Sequence, residues 1–332
     1  MLPWLAWLSR ERSTKAKIAA VTARVISDTT QVALIANTLP TKRDTSLVLP
    51  LVSIVVPVFN GMPHLRDLTE SVLSQTYNNL EIIFSEGGGT DSSAEYLESL
   101  TDSRIRIVHQ PAGTTAAENW TACTQAATGE FIKLVCQDDL LKSTAIADQV
   151  KDLQAFPQAA MAVAQRDIVD ADGKVVYRNR GCAGLKSGLV AGNQVLYTIY
   201  LKGMNVIGEP VAVLFRREPL LAAMPWVGTN PLMLDVSCYH TVAQGRDLVI
   251  RKESIGAFRV SVSSWSTRLA KVQLKQFQLW QHDFAQSAQQ KPSSLDKIRA
   301  NTNARMQTTL RRSAYAWLRL RGSFHKEEIP QL

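Results

Sequence analysis

Apolar runs rich in valine and isoleucine alternate with amphipathic stretches between residues 51 and 140, and this alternation constrains the fold more than any other feature. The first run, LVSIVVPVFN from Leu51, is typical of a strand buried on both faces. The next stretch places Leu65, Leu68 and Val72 on one face of a helix, and the runs LEIIFS, IRIVHQ and FIKLVCQ repeat the pattern. Strand and helix alternating at this spacing predict an α/β fold with a twisted, mostly parallel sheet flanked by helices.

The sequence after residue 140 mixes helix, strand and loop. STAIADQVKDLQAF predicts a helix, AMAVAQRDIVDADGKVVY predicts two strands joined by a turn at 170–173, and VAVLFRRE predicts a further strand. We therefore expect one domain over 51–285 whose sheet has two parts, 51–140 and 141–285.

The positive charge of the chain lies outside that domain. The formal net charge is +8 at pH 7, but residues 51–290 carry 21 basic and 23 acidic side chains. The excess lies in a predicted helical, basic N-terminal extension (1–50) and in a predicted basic amphipathic C-terminal helix (286–332), reached through linkers at 37–50 and 286–294. Because the body has no basic excess, nucleic acid is not expected as a partner.

Both extensions combine basic residues with tryptophan. Two tryptophans precede the basic run in MLPWLAWLSRERSTKAK, whose apolar stretch is too short to span a membrane. The C-terminal stretch places Leu310, Ala314, Trp317 and Leu318 on one helical face. Such extensions either bind an anionic membrane surface or pack on the body with their charges in solvent.

The four cysteines and five histidines show no metal-ligand spacing and no repeated pattern. Neither a zinc site nor a disulfide framework is therefore predicted. We expect reduced thiols and a cytoplasmic protein, with the extensions as the part that would contact the inner face of the cell membrane.

Two adjacent carboxylates follow the last predicted strand of the first part. In CQDDLL, Asp138 and Asp139 come directly after an apolar strand, where ligands bind in open α/β sheets. Neighbouring carboxylates repel each other unless a cation compensates, and a divalent ion that also binds substrate phosphates would do so. Capping of the following helix accounts for one acid but not readily for both.

A glycine-rich loop, FSEGGGTDSS, spans residues 84–93 after the second predicted strand. Glycine lets the backbone approach a ligand closely, which is useful around phosphates. A dinucleotide-dependent oxidoreductase is nevertheless disfavoured, because GxGxxG is missing and the loop follows the second strand, not the first.

Several motifs, taken in order, resemble those of family 2 glycosyltransferases. LVSIVVPVFNGMPHLRDLTESVLSQTYNNLEIIFSEGGGTD and NWTACTQAATGEFIKLVCQDDLL are similar to the nucleotide-sugar half of that family. IGEPVAVLFRRE, LDVSCYHTVAQGRDL and FRVSVSSWS are similar to the acceptor half of a bacterial subset. The resemblance runs from about Val52 to Ser266 and implies the GT-A fold, a Rossmann-like α/β arrangement.

The resemblance also implies roles for individual residues. Asp235 matches the catalytic base, Asp139 the ligand of Mg²⁺ or Mn²⁺, and Phe59 the aromatic that packs against the nucleobase. Glu209 and Arg259 fall on the sugar and acceptor side. The other positions that match the nucleotide-sugar site are Pro57, Asn60, Glu86, Gly88, Asn119 and Asp138.

The chain departs from the family pattern at four places. Glu86-Gly87 stand where an Asp-Asp pair is usual, and Cys136 replaces the first Asp of a DxDD form. Leu234 replaces the Glu of a Glu-Asp pair, and Ser261 stands where many members have His.

The implied activity is metal-dependent, inverting transfer of a sugar from a nucleotide-diphosphate donor to a saccharide or lipid-linked acceptor, in cell-surface polysaccharide or glycolipid synthesis. A metal offsets the charge that develops on the diphosphate, and one carboxylate suffices to deprotonate the acceptor hydroxyl. The loss of an acid at Gly87 leaves an alternative open: a degenerate member that binds a nucleotide sugar or a partner without turnover.

Overall fold

The computed structural model describes residues 49–261, 267, 269 and 271–320, with side chains as far as residue 317. The chain separates into two compact units, residues 1–49 and 50–332, and the described residues belong, apart from Leu49, to the second. The predicted N-terminal extension therefore lies almost entirely outside the described residues. So do the four residues of the SSWS segment, 263–266.

A ten-stranded sheet forms the centre of the second unit. Its first part is parallel, in the order β3-β2-β1-β4. These strands are β1 (Val52–Val58), β2 (Leu80–Glu86), β3 (Ile105–His109) and β4 (Phe131–Leu134). The predicted alternation of strand and helix is confirmed here.

The second part of the sheet is mixed. Strand β9 (Val213–Arg216) lies antiparallel between β4 and β6 (Ala159–Val169), and β10 (Asp247–Arg259) is parallel to β6. The remaining strands pair antiparallel with β6 or β10: β5 (Leu140–Leu141), β7 (Val175–Arg180) and β8 (Gly188–Ala191). The predicted hairpin is β6–β7, and the predicted α/β class is confirmed.

Helices cover both faces of the sheet. On β1, Val52, Ile54 and Val56 belong to one buried cluster and Val55 to another, because successive side chains of a strand point to opposite faces. The helices are α1 (His64–Leu73), α2 (Ser93–Glu98), α3 (Ala116–Gln125), α4 (Ala145–Ala155), α5 (Gly192–Lys202), α6 (Arg217–Leu221), α7 (Leu234–Ala243), α8 (Gln273–Ser287) and α9 (Ser294–Leu320). Within the described ranges, none of the helices is both long enough and apolar enough to cross a membrane.

The C-terminal helix α9 packs on the body through one face. Ala300 and Ala304 are buried, Asn303 Nδ2 donates to Leu201 O at 2.7 Å, and Gln281 Nε2 donates to Ala300 O at 3.2 Å. The closest approach is at Gly203, the left-handed residue that ends α5, where a Cβ would lie 2.2 Å from Ala304 N. Only glycine allows this contact.

Replacing Gly203 with alanine should destabilise the protein more than the same change at Gly245. Both glycines have positive φ, +65° and +71°, so both substitutions cost about 1–2 kcal/mol of backbone strain. Only Gly203→Ala also forces α9 outward, which adds roughly 1–3 kcal/mol, whereas nothing lies within 4 Å of a Cβ at Gly245. Urea unfolding of the two variants measures the difference, and equal losses would contradict the packing argument.

Candidate functional site

One large cavity, of about 2010 Å³, opens where β1 and β4 end and extends to α7 and α9. A pocket for one drug-sized ligand measures roughly 300–1000 Å³, so this cavity has room for two substrates. Eight of the predicted site residues line it: Pro57, Phe59, Asn60, Gly88, Asn119, Asp138, Glu209 and Asp235. Three predicted residues do not appear on its wall: Glu86, Asp139 and Arg259.

The loop after β1 presents Phe59 to the cavity. Gln137 holds this loop, because its Oε1 accepts from Phe59 N at 2.7 Å and its Nε2 donates to Phe59 O at 2.9 Å. Asn60 Oδ1 in turn accepts from Thr90 N at 2.7 Å. Gln137 thus holds both the amide and the carbonyl of Phe59, while the residue remains 47 % exposed. It is therefore available to a planar ligand.

Glu86 serves the glycine loop and does not reach the cavity. Its Oε2 accepts from Gly88 N at 3.1 Å and its Oε1 from Gly89 N at 2.9 Å, and the residue is buried. The carboxylate accepts from backbone amides and shapes the loop whose Gly88 lines the cavity, and nucleotide-sugar binding by Glu86 stays a prediction.

Gly87 is required by the close approach of Asn119. A Cβ at Gly87 would lie 2.8 Å from Asn119 Nδ2 and 3.0 Å from Val58 O. Asn119 Nδ2 donates to the same Val58 O at 3.1 Å, while its Oδ1 is buried and has no hydrogen-bond partner among the described residues. The amide of Asn119 thus occupies the space that an acidic side chain at position 87 would need.

The two adjacent carboxylates have different environments. Asp138 lines the cavity, whereas Asp139 is completely buried and its Oδ1 accepts from Arg259 N at 3.2 Å. Burial, and then the charge of Asp138, raises the pKa of Asp139 well above its usual range. The resemblance implies Asp139 as the metal ligand and Asp138 as a residue of the nucleotide-sugar site. The structure places Asp138 on the cavity wall and buries Asp139, because the turn after β4 directs Asp139 into the protein.

A divalent cation fits this pair of carboxylates in part. Asp139 Oδ2 is buried and has no hydrogen-bond partner in the described part of the chain, which is costly unless a cation or a proton neutralises it. No cluster of three or more His, Cys, Asp or Glu side chains that could hold a metal occurs among the described residues. The pair therefore suits an ion such as Mg²⁺ that takes one or two carboxylates and completes its shell with substrate phosphates and water.

Arg259, which the resemblance places on the sugar and acceptor side, is buried and bonded to the loop that carries the carboxylates. It is 2 % exposed, and its Nε donates to Asp138 O at 2.9 Å. Its Nη1 donates to Ala171 O at 2.7 Å and its Nη2 to Asp67 Oδ2 at 2.9 Å. These bonds turn the guanidinium away from the cavity and toward the loop that carries the carboxylates.

Asp235 lies in the first turn of α7 and lines the cavity. Its Oδ1 accepts from Val236 N at 2.7 Å, and its Oδ2 accepts from Asn205 Nδ2 at 3.0 Å. Asn205 is itself fixed, since its Oδ1 accepts from Ile207 N and Gly208 N, each at 3.0 Å. Burial, and then the nearby charge of Glu209, raises the pKa of Asp235 to about 7. This carboxylate is therefore oriented and titrates near neutral pH.

Glu209 is paired with Arg166, a cavity residue that the sequence analysis did not identify. Arg166 Nε donates to Glu209 Oε2 at 2.5 Å, and Nη2 of the same guanidinium also contacts this oxygen. A Cβ at Gly181 would lie 2.7 Å from Arg166 Nη1, and one at Gly208 would lie 2.8 Å from its Cζ. Gly181 and Gly208, both with positive φ, thus leave room for the guanidinium near Glu209, Asp235 and Asp139.

The residues that the sequence analysis missed each bond to a predicted site residue. Arg166 had one weak signal, a lone cation in the apolar run AMAVAQRDIV, and Gln137 lies inside CQDD. Asn205 had no signal, because it lies in a loop 30 residues before the carboxylate that it contacts.

The sequence model described as "Glycosyl transferase family 2" matches residues 53–220, about half of the chain. This chain belongs to glycosyl transferase family 2. The matched region contains β1 to β9 and therefore the Asp138-Asp139 pair and the Arg166–Glu209 pair, while Asp235 lies beyond it.

Curated relatives match about a third of the chain. Glycosyltransferase GlyG of Streptococcus pneumoniae is 36 % identical over 106 residues, which are 31 % of this chain and 35 % of GlyG. The uncharacterized glycosyltransferase EpsJ of Bacillus subtilis is 38 % identical over 97 residues, 29 % of this chain and 28 % of EpsJ. The chain thus spans about a third of the length of these relatives.

Solved structures share the fold over most of the chain. Residues 1–349 of S. aureus TarS align with a TM-score of 0.55 at 11 % identity, covering 76 % of this chain and 70 % of that fragment. Mannosyltransferase PcManGT from Pyrobaculum calidifontis, solved with GDP-Man and Mn²⁺, aligns with a TM-score of 0.51 at 15 % identity, covering 82 % of this chain and 81 % of PcManGT. The GT-A fold expected from the sequence is confirmed.

The contact between Gly87 and Asn119 can be measured as a coupling energy. Gly87→Ala should destabilise the protein, and the loss should be smaller by about 1–3 kcal/mol in an Asn119→Ala background, because the methyl group then meets a truncated side chain. Urea unfolding of the two single variants and the double variant gives the cycle. Additive losses would show that Asn119 does not require glycine at position 87.

Proposed function

We propose that the protein is a metal-dependent, inverting glycosyltransferase that transfers a sugar from a nucleotide-diphosphate donor to an acceptor hydroxyl. Membership of glycosyl transferase family 2 and the GT-A fold support the reaction class. The acceptor is proposed to be a saccharide or a lipid-linked saccharide of a cell-surface polysaccharide or glycolipid.

One observation carries the proposal: the cavity holds an acidic loop residue, Asp138, and an oriented carboxylate with a pKa of about 7, Asp235. A general base works best when its pKa lies near the operating pH. Asp235 meets that condition, and its two oxygens are held by Val236 N and Asn205 Nδ2.

In the proposed reaction Asp235 accepts the proton of the acceptor hydroxyl as that oxygen attacks the anomeric carbon. Displacement from the side opposite the nucleoside diphosphate inverts the anomeric configuration. Arg166 places a positive charge beside Glu209 and lowers the pKa of Asp235, against the effects of burial and of Glu209. Phe59 offers a ring to the nucleobase, and Asn119 lines the same cavity.

The proposed metal, Mg²⁺ or Mn²⁺, would be held by Asp138 with support from the buried Asp139. When bound, it would stabilise the negative charge that develops on the leaving diphosphate. Arg259 then has a positioning role, because its guanidinium and backbone amide hold Asp138 O and Asp139 Oδ1.

The protein should release a nucleoside diphosphate from one donor of a panel that includes UDP-GlcNAc and GDP-Man, the ligands of the similar folds, when Mg²⁺ or Mn²⁺ and an acceptor are present. Asp235→Asn should lower kcat by about 10²–10⁴-fold and leave Mn²⁺ binding intact. Asp138→Asn should lose both activity and Mn²⁺ binding, which electron paramagnetic resonance of the free ion measures in the presence of the nucleotide.

Turnover that survives Asp235→Asn would contradict the assigned base, and Mn²⁺ binding that survives Asp138→Asn but fails in Asp139→Asn would return the metal role to Asp139. Nucleotide binding without release from any donor would favour the degenerate member, which Gly87 left open.

The rate should rise with pH through about 7, because only the ionised form of Asp235 accepts a proton. Asn205→Asp keeps the acceptor for Ile207 N but adds a negative charge beside Asp235. Because the two carboxylates repel each other, the second of their two protons leaves at higher pH. The pH profile of kcat/KM should therefore move to higher pH. Asn301→Asp, an exposed change on α9, is the matched control and should leave the profile in place. An unmoved profile in Asn205→Asp would exclude Asp235 as the titrating base.

A further inference from the structure

Helix α9 carries a stripe of large apolar side chains on its outer face. The stripe consists of Leu295, Ile298, Met306, Leu310 and Trp317, which are between 40 % and 78 % exposed. At 100° per residue they fall within about 120° of the helix circumference and extend over roughly 33 Å of its length. The sequence pattern places Leu310, Ala314 and Trp317 on one helical face. In the structure Leu310 and Trp317 belong to the exposed stripe, whereas Ala314 lines the cavity. The side chain of Leu318 lies outside the described residues.

The opposite face of α9 is already occupied. Ala300 and Ala304 are buried against the body, and Asn303 is bonded to Leu201 O. The helix is therefore fixed in one orientation about its axis, and the outer stripe is not part of its buried face. The two expectations for this helix, packing on the body and binding to a surface, apply to different faces.

One arginine lies within the arc of the apolar stripe and two lie beside it. Arg299, Arg305 and Arg312 are exposed on the same half of the helix circumference or at its edge. From residue 291 to the C-terminus the chain has nine basic and three acidic residues, while the body is close to neutral. A helix with an apolar stripe, arginines within and beside it, and a tryptophan matches the composition of helices that lie in the headgroup region of a bilayer.

We infer that α9 binds an anionic membrane surface through this stripe, with Arg299, Arg305 and Arg312 contacting lipid phosphates. Charge decides between the occupants of such a face: a second copy of the chain would bring the same arginines against each other, whereas anionic lipid neutralises them. Each arginine near the surface of an anionic leaflet adds about a fivefold increase in affinity.

The position of the stripe connects the membrane to the cavity. Leu310 is exposed on the stripe and also lines the cavity, and Arg311 and Tyr315 follow on the cavity wall. The bound helix therefore brings one rim of the cavity to the headgroup region. On the proposed function, which this step requires, the acceptor is a saccharide carried by a lipid in that membrane.

Sedimentation of the full chain with vesicles tests the surface directly and needs neither donor nor turnover. The protein should bind phosphatidylcholine vesicles that contain phosphatidylglycerol, bind pure phosphatidylcholine vesicles weakly, and dissociate as salt is raised. Ile298→Gln/Met306→Gln should weaken binding at least about tenfold, because these side chains would leave the apolar region. Arg305→Gln/Arg312→Gln should weaken it about 25-fold, fivefold for each charge.

Val175→Gln on β7 is the matched control, since Val175 is an exposed apolar residue, 43 % accessible, and its change should leave binding unaltered. Circular dichroism establishes that each variant is folded. Equal binding by the stripe variants and the control would overturn the inference. A second result would also overturn it: the protein self-associates in sedimentation velocity, Ile298→Gln/Met306→Gln abolishes that self-association, and the vesicles bind no protein.

Discussion

The buried guanidinium of Arg259 holds together the segments on which the site depends. It contacts Asp138 O after β4, Ala171 O in the β6–β7 turn and Asp67 on α1, while the backbone amide of the same residue binds Asp139. A buried guanidinium is stable only when its N–H donors have acceptors, so Arg259 needs all three segments in place. The two carboxylates consequently keep fixed and different orientations, one on the cavity wall and one inside the protein.

A second group of charged side chains lies around Asp235. Burial and then the charge of Asp138 raise the pKa of Asp139, and burial and then the charge of Glu209 raise the pKa of Asp235. Arg166 is the cation within this group, and Gly181 and Gly208 leave the volume that its guanidinium needs. The pKa of Asp235 therefore depends on residues from β6, from the loop after α5 and from α7, not on its own helix alone.

The periodic parts of the fold were predictable because they are local. The strands β1 to β4 and the β6–β7 hairpin follow from apolar runs and turn residues that lie next to one another in the chain. The roles of single loop residues were less predictable. Sequence matching could not tell which of Asp138 and Asp139 faces the cavity, since only the conformation of the turn sets the directions of adjacent side chains. It could not find Asn205 either, because its contact with Asp235 joins segments 30 residues apart.

The sequence by itself determined the α/β class, the acidic pair after β4 and the accumulation of basic and aromatic residues near the C-terminus. Only the tertiary structure decided that Glu86 holds a loop of backbone amides, that Asn119 fills the space beside Gly87, and that Arg259 supports the carboxylates from within. The physical reason is the same in each case. Residue type and spacing specify which groups are available, whereas burial and hydrogen-bond partners, which come from segments far apart in the chain, specify which of those groups meet the cavity.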